Sequence, residues 1–499
     1  MDRGRPIRDN AVLLAFLAAG LAWRILLALR FFGWEEDDYS NLARSYAVAF
    51  EGFGELSVSH LPLYYLVNGA LIRVLGHAEI VCVATTLSCG LAAMALAMVL
   101  ARRAGGRRVE VFCGAVLLCQ PEFALYAASS LREPMYAALG LAGIWWIIQR
   151  RPLLAALAMI GALLVRAEAF FTFWPGFLLL ATARGRGTRR AFFAGLGLMA
   201  VALLLVSWWA KVGSGSWLLF APQFQANLDT GGVAESRPLL EFLTRGARVA
   251  VGMALLLLPS KVGWPLVLLA GWGTIQVARK QIWNRTAVVI TLFFVLNLGV
   301  WLGTGFVFQH AITHNLYWKW LYATVPLLAL TAAFGLGDVI ERLGGWRRWG
   351  ARAVVAATLA WFLACAGIET TRQIHRADEL FLPQLRLALE IERTVPAGTT
   401  LIIDHIPASY LARRAHGYTF LSWFDLAEET PDGSPDWFDD ALSAHDVRWV
   451  LWFEEGWTMA PEVAPFLGGD ERVILRDHVL ELQGREDGYG WVWYRVDRR

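Results

Sequence analysis

Residues 11–32, AVLLAFLAAGLAWRILLALRFF, run straight into residues 33–43, GWEEDDYSNLA, so four consecutive carboxylates (Glu35, Glu36, Asp37 and Asp38) stand where an apolar segment ends. About 20 apolar residues suffice for a helix to cross a bilayer. The preceding MDRGRPIRDN is basic, and the run ends without a small-residue cleavage site, so it reads as a retained anchor and not as a signal peptide. The N-terminus then lies in the cytoplasm, and the acids emerge on the far side.

The whole chain extends this reading. Of its 499 residues 57% are hydrophobic and 17% charged, with a mean hydropathy of +0.46. Soluble domains carry about 25% charged residues, so the composition asks for many spans. A net charge of +3 gives no reason to expect nucleic acid. All five cysteines lie in apolar runs, which suits packed thiols and neither a disulfide framework nor a zinc site.

Basic clusters recur at 102–108, 150–151, 184–190, 279–285 and 342–352. If each is cytoplasmic, the apolar runs between them pair into hairpins that visit the outside. Spans are expected near 11–31, 79–101, 109–128, 134–149, 191–211, 262–278, 286–304, 320–337 and 351–368. Between 150 and 184 lie two short arms with an outer apex at LLVRAEAFF, and residues 247–258 read as too short to cross. The count is about eleven crossings, with the C-terminus outside. The loop at 32–78 is long and external, and its SHLPLYYLVNGALIRVLG stretch suits a helix along the outer interface.

From about residue 372 the charge density rises and the apolar runs shorten. TLIID, DVRWVLWF, ERVILRDHVLEL and GYGWVWYRV each read as one strand, and LPQLRLALEIERTV as a helix. The expected organisation is a transmembrane module, 1–371, followed by a small external α/β domain, 372–499, whose histidines, His478 among them, read as surface residues.

This topology gathers the unusual polar residues on the outer side: Glu35, Glu36, Asp37, Asp38, His60, Arg132, Glu133, Arg166, Glu168, His310, His314 and Lys319. Carboxylates and cations at an apolar lip suit transfer from a lipid-borne phosphate to a hydroxyl or amine. A carboxylate takes the acceptor's proton, and cations stabilise the departing phosphate. Each residue also has a plainer reading. The four acids can be a solvated loop, and Glu133 a helix N-terminal charge before Pro134. Arg166 with Glu168 can be a structural pair, Lys319 an interfacial anchor. His310 and His314 have the i, i+4 spacing of metal ligands but no clear third partner.

The ordered set, paired acids after span one, H-x-P-L-Y-Y, a later acid in a short loop, an R-x-E apex and a basic residue before V-P, resembles a family. It is similar to the GT-C membrane glycosyltransferases, in particular the protein O-mannosyltransferases and the lipid A aminoarabinose transferases. The resemblance covers roughly residues 10–370. It implies a polytopic helix bundle, a polyprenyl-phosphate sugar as donor at the outer face of the cytoplasmic membrane, and inversion at the anomeric carbon. D-E-x-x-Y-x-x-x-A lays on Glu35, Glu36, Tyr39 and Ala43; a second register puts the catalytic acid at Asp37 or Asp38, with Glu36 as neighbour. Glu133 resembles the second acid. The late R-Y-x-x-x-x-x-P lays on Lys319, Trp320 and Pro326, and Lys lacks the guanidinium fork.

The expected donor-phosphate ligands are therefore Arg166, Lys319, Arg132 and His60, with Tyr39, Glu168 and His314 also at the substrate. Any Mg²⁺ or Mn²⁺ would fall to Asp37, Asp38 and His310; the need for one is left open, as are the sugar and the acceptor (lipid, glycan or protein). Two other classes stay in play. One is a transporter or flippase for a lipid-linked headgroup, disfavoured because the spans read as clean and the charges cluster outside. The other is an assembly protein acting through residues 372–499.

Overall fold

A computed structural model describes residues 5–30, 36–50, 52, 61–182, 186–214, 217, 239–279, 284–309, 321–343, 349–402, 419–421, 437–453, 471–486 and 491–499. They fall into two compact units, Met1–Trp34 with Arg44–Gln373 and Glu35–Ala43 with Ile374–Arg499.

The first unit is helical. In chain order its elements are α1 (Arg5–Arg30), α2 (Glu36–Phe50, whose first residues group with the second unit), α3 (Leu63–Leu75) and α4 (Ala78–Cys119). Then come α5 (Pro121–Tyr126), α6 (Glu133–Ile148), α7 (Pro152–Val165), α8 (Ala169–Thr172), α9 (Trp174–Thr182) and α10 (Arg186–Ser214). The series closes with α11 (Leu239–Gly252), α12 (Leu258–Val262), α13 (Trp264–Ala278), α14 (Arg285–Phe308), α15 (Thr324–Arg342) and α16 (Trp349–Thr394). Among the described residues six helices are long and apolar enough to cross a membrane. The chain is a multi-pass membrane protein built as a helix bundle.

Punctuation follows the sequence. Gly106, inside the basic cluster 102–108, takes φ 79° and breaks α4; only glycine adopts that region without strain. α13 and α15 touch backbone to backbone, because a Cβ on Gly335 would lie 2.0 Å from the Leu269 carbonyl oxygen. Such contacts give apolar helices the close packing that the hydrophobic effect cannot supply in lipid.

Three expectations change. The stretch expected as the long loop 32–78 holds, besides the helix expected within it (α3), a second helix, α2. The segment taken as too short at 247–258 belongs to a helical run, Glu241–Val262, of crossing length, with a π turn at Met253–Leu257. Arg245 and Arg248 had cut the apolar window short, yet a helix carries them on one face. The helix expected near 382–395 is the end of α16, continuous from Trp349 to Thr394.

The second unit holds a six-stranded mixed sheet in the order β2-β1-β3-β6-β5-β4. β1 (Thr400–Ile402) pairs in parallel with β2 (Thr419–Leu421) and β3 (Val447–Phe453). β6 (Trp491–Arg498) runs antiparallel to β3 and to β5 (His478–Glu486), which pairs with β4 (Arg472–Ile474). ERVILRDHVLEL is thus a hairpin and not one strand, turning at Arg476 and Asp477. Its core includes Ile402, Leu442, Val450, Leu480, Val492 and Tyr494. His478 is no surface residue: it is 2% exposed, and its Nδ1 lies 2.7 Å from Asp439 Oδ1 on α17 (Trp437–Ala444).

Candidate active site

The helical unit brings three of the candidate residues together at Arg166. α7 stops at Val165 because Arg166 adopts an extended backbone (φ −146°, ψ 129°), and Glu168 opens α8 just beyond. The guanidinium forks onto Glu168, with Nε 3.3 Å from Oε2 and Nη2 2.7 Å from Oε1, while Nη1 donates to Glu133 Oε1. Arg166 is 4% exposed and Glu133 1%. One cation meets two carboxylates in a bidentate-plus-one arrangement, the strong form of such pairing. Glu133 stands in the first turn of α6 before Pro134, and its second oxygen, Oε2, is buried and accepts no hydrogen bond.

A second layer holds this knot in place. The Tyr136 hydroxyl lies 2.7 Å from Thr172 Oγ1, which donates to the Glu168 carbonyl at 3.0 Å. Asn297 Nδ2 on α14 reaches the Thr172 carbonyl at 3.5 Å. The apex between α7 and α8 is therefore fixed from two other helices.

The short loop before α6 is clamped by the stretch that the sequence marked as HLPLYY. Tyr64 donates to the Ser130 carbonyl at 2.6 Å, and Thr86 Oγ1 lies 3.2 Å from the Leu131 carbonyl. Gly90 lets this loop close on α4, since a Cβ there would sit 2.4 Å from the Ala127 Cβ. The clamped loop presents Arg132, half-buried, whose guanidinium has no ion pair or hydrogen bond among the described residues. Arg132 and Glu168 are within electrostatic reach of each other.

Sequence reasoning passed over Arg24, in the apolar run that opened the reading. Arg24 is 0% exposed, and its one hydrogen bond goes from Nη1 to the Gly20 carbonyl of its own helix at 3.1 Å. Nε and Nη2 are buried without partners. The guanidinium sits 5.3 Å from the Phe123 ring centroid, and Phe123 and Tyr126 both stack on Tyr322. Tyr322 lies within the fields of both Arg24 and Glu133. A second missed cluster joins Lys261 to Glu369 and, at 3.3 Å, to Glu122, whose other oxygen accepts from Gln120 Nε2 at 2.6 Å. The spans are thus not free of charge. The available signal was the isolated ionisable residue inside an apolar run.

Glu36, Asp37, Asp38 and Tyr39 lie at the start of α2, where an acid suits the helix dipole; their side chains fall outside the described residues. So do His60, His310, His314 and Lys319. Among the described residues no group of three or more His, Cys, Asp or Glu could hold a metal.

No family model matches the sequence, and no curated protein matches it. By fold the chain is similar to ArnT from Cupriavidus metallidurans, a lipid A aminoarabinose transferase. Against its apo structure the TM-score is 0.64 at 14% identity, over 97% of both chains. Against its structure bound to undecaprenyl phosphate the TM-score is 0.61 at 14% identity, over 97% of this chain and 98% of that one. The Archaeoglobus fulgidus oligosaccharyltransferase, in complex with zinc and sulfate, gives 0.56 at 12% identity over 89% of this chain and 68% of that one. The chain has the fold of the GT-C membrane glycosyltransferases, as the ordered motifs implied.

Proposed function

We propose that the protein is a membrane glycosyltransferase that moves a sugar from a polyprenyl-phosphate donor to a lipid, glycan or protein acceptor. The reaction takes place at the outer face of the cytoplasmic membrane, with the N-terminus cytoplasmic and residues 372–499 outside. The observation that carries this reading is fold agreement over 97% of the chain with a protein solved with undecaprenyl phosphate bound.

The residues supply the parts of a single displacement. Asp37 or Asp38 takes the proton of the acceptor hydroxyl or amine. The freed oxygen or nitrogen attacks the anomeric carbon opposite the phosphate, the carbon–oxygen bond breaks, and polyprenyl phosphate leaves with the electron pair. Configuration inverts. Negative charge grows on the departing phosphate, and Arg24 and Arg132 are two cations beside this cluster that have no carboxylate partner among the described residues. Preorganised donors aimed at developing charge are where such enzymes gain most. Glu133, held by Arg166, offers its unoccupied Oε2 to the acceptor. Arg166 orients Glu133 instead of meeting the phosphate, since Glu133 and Glu168 already share its charge.

The buried Lys261, Glu122 and Glu369 favour a second reading, a headgroup transporter or flippase, because ionisable groups within spans mark conduction paths. Turnover separates the two. Purified wild type and Asp37→Asn/Asp38→Asn are incubated with undecaprenyl-phosphate sugars and an envelope acceptor extract, and free undecaprenyl phosphate is read by mass spectrometry. Release by wild type alone supports transfer with the base in this segment. Equal release by both proteins removes the base assignment. Binding and movement of lipid without release by either favours the flippase.

A further inference from the structure

The surroundings of Arg24 are built on one short helix. α5 carries Phe123, whose ring centroid lies 5.3 Å from the Arg24 guanidinium carbon. Phe123 is fully buried, and its ring is held by stacking on Tyr322 at 5.1 Å and 19°, while Tyr322 stacks in turn on Tyr126 at 5.6 Å and 6°. The Tyr322 hydroxyl also donates to the Phe123 carbonyl at 3.3 Å. Ring and backbone of Phe123 are therefore held by the same neighbour.

Charge anchors the helix itself. Glu122 Oε2 accepts from Gln120 Nε2 at 2.6 Å, and Oε1 lies 3.3 Å from the Lys261 ammonium, which also meets Glu369. Pro121 opens α5 where its missing amide costs no helical hydrogen bond. Glycines make room on the other sides. A Cβ on Gly20 would lie 3.0 Å from Arg24 Nη1, and one on Gly90 would lie 3.9 Å from Arg24 Nε. The guanidinium thus occupies a slot between α1, α4 and α5.

A ring and a carboxylate hold a guanidinium differently. A carboxylate accepts its N–H groups and offsets its charge, as Glu133 and Glu168 do for Arg166. An aromatic face attracts the cation through its quadrupole and brings no opposing net charge. The ring therefore fixes the cation and leaves its charge and its N–H donors for a ligand. We infer that Phe123 is a positioning residue that holds the Arg24 guanidinium with Nε and Nη2 available to the phosphate of a polyprenyl-phosphate ligand, a role that rests on the phosphate contact proposed for Arg24. Both nitrogens are without a hydrogen-bond partner among the described residues.

The test measures undecaprenyl phosphate binding to the full-length protein in detergent by native mass spectrometry. Wild type, Phe123→Leu, Arg24→Met and the double variant form a mutant cycle, with a melting curve for each. Phe123→Leu is expected to lose roughly threefold to tenfold in affinity. It should lose nothing further in the Arg24→Met background, because a ring that acts through the guanidinium then has nothing to hold. Phe123→Tyr keeps an aromatic face and should recover most of the affinity that leucine loses. Phe123→Met gives a second ring-free side chain if the leucine variant does not fold. Equal losses from Phe123→Leu in both backgrounds, or full affinity in Phe123→Leu beside a weakened Arg24→Met, would overturn the positioning role and leave the Arg24 contact standing. Full affinity in Arg24→Met, or no binding by wild type, would overturn the phosphate contact itself and the positioning role with it.

Discussion

Arg166 and Arg24 are both buried arginines of the helical unit, and their surroundings treat them in opposite ways. Arg166 forks onto Glu168 and reaches Glu133, and a shell from Tyr136, Thr172 and Asn297 fixes the apex around it. Arg24 has one backbone carbonyl and an aromatic face. Burying a charge without a counterion costs several kcal/mol, and a cation–π contact returns about 2 kcal/mol at best. Among the described residues the first arginine is satisfied and the second is not, and the donor phosphate is the anion we propose for the second.

Substitution separates the two most strongly in turnover. Arg24→Met is expected to lower transfer at least a hundredfold, the usual scale for losing a group that stabilises developing negative charge, while the thermal midpoint of the ligand-free protein stays level or rises. Initial rates beside a melting curve check both halves; a lower midpoint would mark Arg24 as structural. Arg166→Met should do the reverse first, costing about 3–5 kcal/mol by stranding two buried carboxylates. Adding Glu133→Gln and Glu168→Gln to it should restore part of that stability, as a mutant cycle in urea would reveal.

Glu133→Gln alone keeps the shape and the Arg166 contact. A tenfold fall in kcat/KM for the acceptor, with the donor KM unmoved, is expected if Oε2 meets the acceptor; unchanged kinetics would return Glu133 to the helix-terminus reading. The smallest effect belongs to the other unit. His478→Ala removes a buried partner of Asp439 and should cost about 1–3 kcal/mol in the C-terminal unit, seen as local loss of amide protection, with little change in transfer.

Much of the bundle was readable because apolar runs and arginine clusters alternate, and both follow from burial in lipid and the charge rule. The pair Arg166–Glu168 was also readable, being two residues apart at an apex. Glu133 and Arg166 are 33 residues apart, and only packing brings them together. Arg24 went unseen because one charge among twenty apolar residues does not disturb the pattern that identifies a span. Lys261, Glu122 and Glu369 were missed for the same reason, each a single charge beside an apolar run. The β4–β5 hairpin was misread because hydrophobic alternation continues across Arg476 and Asp477. Local pattern names elements; the pairing of distant charges needs the fold.

The most direct measurement is binding of undecaprenyl phosphate to wild type, Arg24→Met and a folded Arg166→Met/Glu133→Gln/Glu168→Gln variant, by native mass spectrometry from detergent. The account predicts binding by wild type, a loss of at least about thirtyfold in affinity on removing Arg24, and near wild-type affinity in the triple variant. Undiminished binding by Arg24→Met, or no binding by the wild type, would contradict it.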